Sequence, residues 1–367
     1  MSRISPILRN FSLLALLLLL SGCETLAYHA QAVQGHWQIM RARVPLQEWA
    51  AAPERAVDET SKVETLLQAR RYASTELALP DNRSYTQVAV LDREATVYNV
   101  VAAPEFSLSP LSWCFPVAGC INYRGYFHQE QAEKKALELV GDGYDVVVQP
   151  VAAYSTLGWF NDPIPSPVMD WPIDDIVRLI FHELAHQKLY VADATRFNES
   201  YASAVAELGL AQWRHHLGSP ASAPAVNRSA QVYALLQPTL DALRELYARS
   251  YSPERMREEK YALLRSAQAR YSQGASLGRY WDAWFSELNN ARLAGLSDYQ
   301  SRVPSFEQIF AECQQDWDCF HRRSRAIGED PARRQQFLAQ HRPALAAPIV
   351  MSYLHPAQRL LSRNQHE

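Results

Sequence analysis

Residues 170–186 read DWPIDDIVRLIFHELAH, and this stretch decides the fold around it. Ile173, Ile176, Val177, Ile180 and Leu184 recur at helical spacing and predict one buried stripe. Asp170 is positioned to cap the helix, Pro172 to stand in its first turn, and Asp174 and Asp175 to favour the positive end of its dipole. His182 and His186 then lie one turn apart on a second face. Two imidazoles so placed can reach one zinc ion at about 2.0–2.1 Å. Glu183 sits beside that face, where a carboxylate can hold and deprotonate a water molecule.

A third ligand is expected downstream. Residues 197–202 read FNESYA and open a second apolar helix. The Asn-Glu-x-x-Ala pattern resembles the gluzincin arrangement, in which the glutamate completes a site of two histidines and one carboxylate with a position open for water. That makes Glu199 the expected ligand, thirteen positions after His186, so the connection must turn back tightly. Asp193 and Glu207 are the rivals, either as ligands or as partners that orient His182 or His186 through the free ring nitrogen. Candidates for stabilising the developing oxyanion are Tyr123, Arg124, Tyr126, Tyr154, His215 and His216.

Upstream, residues 28–50 and 58–78 read as helices. Residues 85–91 (YTQVAVL) and 96–101 (TVYNVV) read as a β-hairpin. A helix at 127–140 ends at Gly141-Asp142-Gly143 and precedes a strand over Tyr144–Val151. Residues 153–160 (AYSTLGWF) read as an edge strand able to present itself to an extended peptide. Beyond 226 the pattern is helical, with Ser252-Pro253-Glu254 a start signal.

The N-terminus reads as an address. Arg3 and Arg9 precede the apolar run FSLLALLLLL at 11–20, and Leu20-Ser21-Gly22-Cys23 follows. This is the layout of a signal peptide with a lipobox, in which Cys23 becomes the acylated first residue. Glu24, where an aspartate would resemble an inner-membrane retention signal, points to the outer membrane and a periplasm-facing body. The whole chain of 367 residues has a formal charge of −3. No basic excess exists to hold a phosphate backbone, which argues against nucleic acid as a partner. Four cysteines remain after Cys23, in two close pairs, Cys114 with Cys120 and Cys313 with Cys319. An even count in an oxidising compartment predicts two local disulfides; a four-cysteine zinc site would call for tighter C-x-x-C spacing.

The expected architecture is α+β and predominantly helical, with a zincin-like catalytic core, a small β-sheet and an added C-terminal helical region. Its expected divisions are a signal peptide at 1–22, an N-terminal helical segment at 23–80, the α+β core at 81–217, a hinge at 218–226 and helices at 227–367. HELAHQKLY, FNESYA, the upstream YRGYF, AYSTLGWFNDP and Leu288-Asn289-Asn290-Ala291 together resemble the bacterial predicted-aminopeptidase family of zinc-dependent lipoproteins. The resemblance implies Zn²⁺, a peptide substrate, His182, His186 and Glu199 as ligands, and Glu183 as the catalytic base. The alternatives at this level are a zinc amidohydrolase acting on cell-wall peptides and a non-catalytic envelope-assembly lipoprotein.

Overall fold

A computed structural model describes residues 25–53, 57–115, 119–152, 155–218, 228–274, 276–300 and 302–340. The signal peptide, Cys23, Tyr154 and the expected hinge after Gly218 lie outside the described residues.

The chain is α+β and mostly helical. Helix α1 spans 25–41. It leads into β1 (Arg43–Pro45), α2 (Leu46–Ala50) and α3 (Val57–Thr75). The expected helix over 28–50 is thus two helices broken at β1. There Pro45 fixes its own φ and offers no N–H to continue the hydrogen-bond ladder. Strands β2 (Gln87–Ala89) and β3 (Val97–Pro104) follow, then β4 (Trp113–Phe115), β5 (Gly119–Ile121) and β6 (Arg124–Tyr126). Helix α4 (Gln129–Gly141) precedes β7 (Tyr144–Val151) and the two-residue β8 (Ile164–Pro165). After a 3₁₀ turn at Ser166–Asp170 come α5 (Ile173–Lys188) and α6 (Thr195–His216). Seven helices then run from α7 to α13: Arg228–Tyr247, Pro253–Ser272, Arg279–Ser286, Asn290–Gln300, Val303–Glu312, Trp317–Gly328 and Pro331–Gln340.

The expected hairpin between β2 and β3 does not form. β2 instead lies between β1, antiparallel, and β8, parallel. β3 lies between β6 and β7 in a second sheet. Two polar contacts separate them: the Leu91 N–H is held by the Ser166 hydroxyl at 2.9 Å, and the Thr96 N–H donates to Val151 O at 2.9 Å. The expected strand at 153–160 is also absent from its described part. Residues 155–160 form a turn with Leu157 at φ 55° and Gly158 at φ 84°. The Asp162 carboxylate closes it, accepting from the Thr156 N–H at 2.9 Å and hydroxyl at 2.7 Å. An acid that captures local donors in this way competes with strand pairing. Asp170 does not cap α5 either. It ends the 3₁₀ turn, and Pro172 takes the cap position.

Both expected disulfides are present. Cys114 and Cys120 face each other across the β4–β5 hairpin, and Cys313 is joined to Cys319.

The main core gathers α3, α5, α6, α11 and α12 around Leu66, Phe181, Phe197, Tyr201, Phe306 and Phe320. α5 is buried on all sides from Ile176 to His186, rather than along one stripe, because α3 and α6 both pack against it. A second core joins α7, α8 and α9 around Leu236, Leu240, Trp281 and Phe285. Buried Lys260 on α8 ties that core to the β3–β7 sheet, donating to Asp145 at 2.7 Å and to Glu105 O at 2.9 Å. Among the described residues no helix is long and apolar enough to cross a membrane.

Candidate metal centre

α5 and α6 cross at the point where their polar side chains meet. His182 Nε2 and His186 Nε2 stand 3.0 Å apart. Glu199 Oε2 lies 3.3 Å from the first and 3.6 Å from the second. A tetrahedral ion with bonds of about 2.0–2.1 Å sets its ligand atoms roughly 3.3 Å apart, and the three separations bracket that value. All three residues are drawn from the helices the sequence indicated, and together they form a group able to hold a metal ion.

The electrostatics of the cluster favour a cation. Burial drives His182 down to about 4, so its ring is neutral near pH 7 and offers a lone pair. Burial alone would raise Glu199, but His186 and His182 beside it hold the carboxyl down at about 2. Burial likewise works to lower His186; Glu199 outweighs it and the net shift is upward. Two imidazole nitrogens and a carboxylate oxygen converging within 4 Å concentrate electron density that only positive charge between them can satisfy. The donor set of two nitrogens and one oxygen suits zinc.

The return of the chain is set by Asn198. Its buried amide makes two bonds to one backbone residue: Oδ1 accepts from the Val191 N–H at 2.9 Å and Nδ2 donates to Val191 O at 2.7 Å. This clasps the 189–194 loop to the first turn of α6 and fixes the adjacent Glu199 against α5. The rival acids are engaged elsewhere. Asp193, at φ 60°, accepts from the Cys120 N–H at 2.7 Å and so anchors the disulfide hairpin to the same loop. The hairpin approaches so closely that a Cβ on Gly119, itself at φ 71°, would fall 2.8 Å from Asp193 Oδ1. Glu207 accepts from Arg178 Nε at 2.6 Å.

Glu183 is buried on the same turn as the two histidines. Desolvation pushes its carboxyl up to about 7, with Glu199 and Asp162 adding to the rise and His186 and the Ser155 hydroxyl opposing it. A cation beside it lowers that value. Of the oxyanion candidates, Tyr123 is the one on which the charges of Glu199 and Glu183 act. Burial raises its hydroxyl, and Glu199, Tyr190 and Glu183 add to that rise. Arg124 stacks over Tyr28 at 4.2 Å, and Tyr126 packs edge-on against the same ring at 5.5 Å. His215 and His216 are exposed at the far end of α6, about 24 Å along the helix from Glu199.

Sequence reasoning missed Tyr190, Tyr85, Ser155 and Asp162. Tyr190 packs edge-on to His186, ring centroids 6.3 Å apart, and burial and Glu199 raise its hydroxyl to about 12. Tyr85 is buried, with Glu183 and Asp162 among the charges acting on it. Tyr190 follows His186 by four positions, a spacing that signals proximity even though the helix stops at Lys188. Ser155 and Asp162 lie in the AYSTLGWFNDP stretch that carries the family resemblance, which marks the segment without marking these side chains, and Tyr85 carried no signal.

The family model described as "Putative aminopeptidase" matches residues 27–338. The chain belongs to this family. No curated protein and no solved structure matches it. Membership marks the chain as a peptidase, whose substrates are peptides, and the converged cluster lies within the matched span.

Proposed function

We propose that the chain is a zinc-dependent peptidase with a zincin-like core, an aminopeptidase by family, held by an acylated Cys23 at the periplasmic face of the outer membrane. One observation carries the catalytic part: His182, His186 and Glu199 bring three donor atoms within 3.6 Å of one another, with the Glu183 carboxylate on the same turn of α5. The address rests on Arg3, Arg9, the apolar run at 11–20 and the Leu20–Cys23 motif.

His182, His186 and Glu199 would hold the ion. Zinc, when bound, polarises the scissile carbonyl and makes water more acidic. Glu183 accepts a proton from the attacking water at a carboxylate oxygen and delivers it to the departing amine nitrogen, so the C–N bond breaks after the C–O bond forms. Tyr123 remains a neutral hydroxyl at physiological pH and is the donor assigned to the developing oxyanion. Burial of the cluster keeps bulk water from screening these interactions.

Metal content and peptide turnover measured on the same preparations test the assignment. Glu183→Gln keeps the ligands and should retain zinc while turnover falls on the order of 10²–10⁴-fold. His182→Ala, His186→Ala and Glu199→Ala should each lose zinc. Full turnover by Glu183→Gln, or full zinc occupancy in Glu199→Ala, overturns the corresponding role. A peptide-library digest read by mass spectrometry, with and without chelator, distinguishes removal of N-terminal residues from internal cleavage.

A further inference from the structure

Helix α1 has two faces of different fate. On the inner face Gln31 accepts from the Phe127 N–H at 3.1 Å, Ile39 is fully buried, and Gly35 meets the Phe127 ring so closely that a Cβ would fall 2.0 Å from it. On the outer face Leu26, Val33 and Trp37 are 72%, 58% and 55% exposed. Steps of seven and four residues at about 100° each place these three within roughly 40° of one another. The turn at 155–160 extends the patch. Trp159 is 72% exposed, and Phe160, 50% exposed, packs its ring 4.4 Å from that of His36, the neighbour of Trp37.

Five large apolar side chains in water, three of them aligned on one helix, call for a covering partner. The chemistry of the helix selects the partner. Residues 25–41 contain no aspartate or glutamate and end at Arg41, whose guanidinium lies 6.0 Å from the Trp37 ring centroid. Gln34, Trp37, Gln38 and Arg41 bound a shallow recess on this face. Aromatic and aliphatic groups beside a cation, with no acid to repel head groups, are the side chains of a helix lying in a lipid interface. The position in the chain agrees: Thr25 follows Cys23 by two residues, which span at most about 7 Å.

We propose that Leu26, Val33, Trp37, Trp159 and Phe160 form a membrane-docking face that rests on the phospholipid surface, with Arg41 directed to anionic head groups. The proposal rests on the reading of Cys23 as the acylated residue. It adds that the body is fixed against the bilayer rather than free on a tether. The same turn that carries Trp159 and Phe160 carries Ser155 beside Glu183, so docking sets the orientation of the catalytic cluster to the membrane. A substrate subsite is the weaker occupant, because the stripe runs about 16 Å along α1 from Trp37 back to Leu26 at the anchor end.

The full-length lipidated protein, reconstituted in vesicles of phosphatidylethanolamine and phosphatidylglycerol with brominated acyl chains, tests this. Wild-type tryptophan fluorescence should be quenched, by up to the share of two among nine tryptophans. The quenching should vanish in Trp37→Phe/Trp159→Phe. Mass spectrometry of Cys23 reads the anchor separately. An acylated, vesicle-bound protein whose Trp37 and Trp159 stay unquenched and open to iodide overturns the docking face and leaves the lipoprotein reading intact. Vesicle binding with quenching but an unmodified Cys23 supports the face and removes the anchor. A raised KM for peptides in the double variant, without lipid quenching in the wild type, overturns the proposal and assigns the patch to substrate.

Discussion

At the scale of single residues the site depends on side chains that hold other side chains. Asn198 makes no contact with the donor atoms, yet its paired bonds to Val191 decide where Glu199 enters. Asn198→Ala should therefore weaken zinc binding by about 10–100-fold, the usual loss when a supporting contact is removed. Competition with a chromophoric chelator measures it, and unchanged affinity refutes the positioning role. His321 behaves differently. Its Nε2–H donates to Leu77 O at 2.9 Å, so its Nδ1 accepts from the Tyr201 hydroxyl at 2.7 Å, and both ring positions are committed in the neutral form. Burial lowers its pKa to about 4, from an unfolded value near 6.5. A depressed folded-state pKa gives stability that is complete above the unfolded value and lost as pH falls toward the folded one. His321→Gln keeps one donor and one acceptor without the titration. Its stability deficit against the wild type, from urea melts, should shrink by up to about 3 kcal/mol between pH 7 and pH 4; a constant gap refutes the shift.

At the scale of elements, the pairing of α5 with α6 is the feature on which the cluster depends, and Gly209 on α6 is packed closely against Phe181 of α5 and against Leu77. A Cβ there would lie 2.7 Å from Leu77 Cδ1 and 3.0 Å from Phe181 Cδ2. Gly209→Ala gains helix propensity of about 1 kcal/mol but must push these neighbours aside, and overpacking costs about 1–3 kcal/mol. The expected net result is a lower thermal midpoint, with reduced zinc affinity if the helices separate; a more stable variant would show that the contact has room. Elements whose signals were local were legible in the sequence. The strand at Tyr144–Val151 coincides with β7 residue for residue, and Ser252 caps α8 by accepting from the Arg255 N–H. The two ligand-bearing helices were legible because 3.6-residue periodicity and the His182–His186 spacing reinforce each other. The pairing of β2 was not, because its partners are β1 and β8, the latter more than seventy residues away in the chain. In its described part, 155–160, the strand expected at 153–160 is replaced by a turn for a local reason: Asp162 captures the donors of Thr156. Tyr85 and Ser155 reach Glu183 only through tertiary packing, which carries no periodic mark.

At the scale of the whole molecule, a metal held by the candidate cluster would be a cross-link as well as part of the proposed catalytic centre. Its three donors come from two helices that form the middle of the main core, and the loop between those helices is gripped from outside by the Cys114–Cys120 hairpin through Asp193. An ion bound there acts on the native state alone, because the unfolded chain scatters His182, His186 and Glu199. Its stabilisation follows from mass action: about 2.7 kcal/mol when free metal stands at 100 times the dissociation constant. The bare cluster adds a cost of its own. Without a cation, the half-buried Glu199 carboxylate is compensated by protonating the histidines beside it, and His182 resists that, its pKa being lowered to about 4. Chelation with EDTA should therefore lower the thermal midpoint by several degrees, and added zinc should restore it in a concentration-dependent way. Glu183→Gln should show the same metal-dependent shift as the wild type, since it leaves the donors alone. Glu199→Ala should show little or none. A midpoint indifferent to chelator in the wild type, with zinc demonstrably removed, would mean that the α5–α6 pair holds itself together and that the cluster serves chemistry without bracing the core.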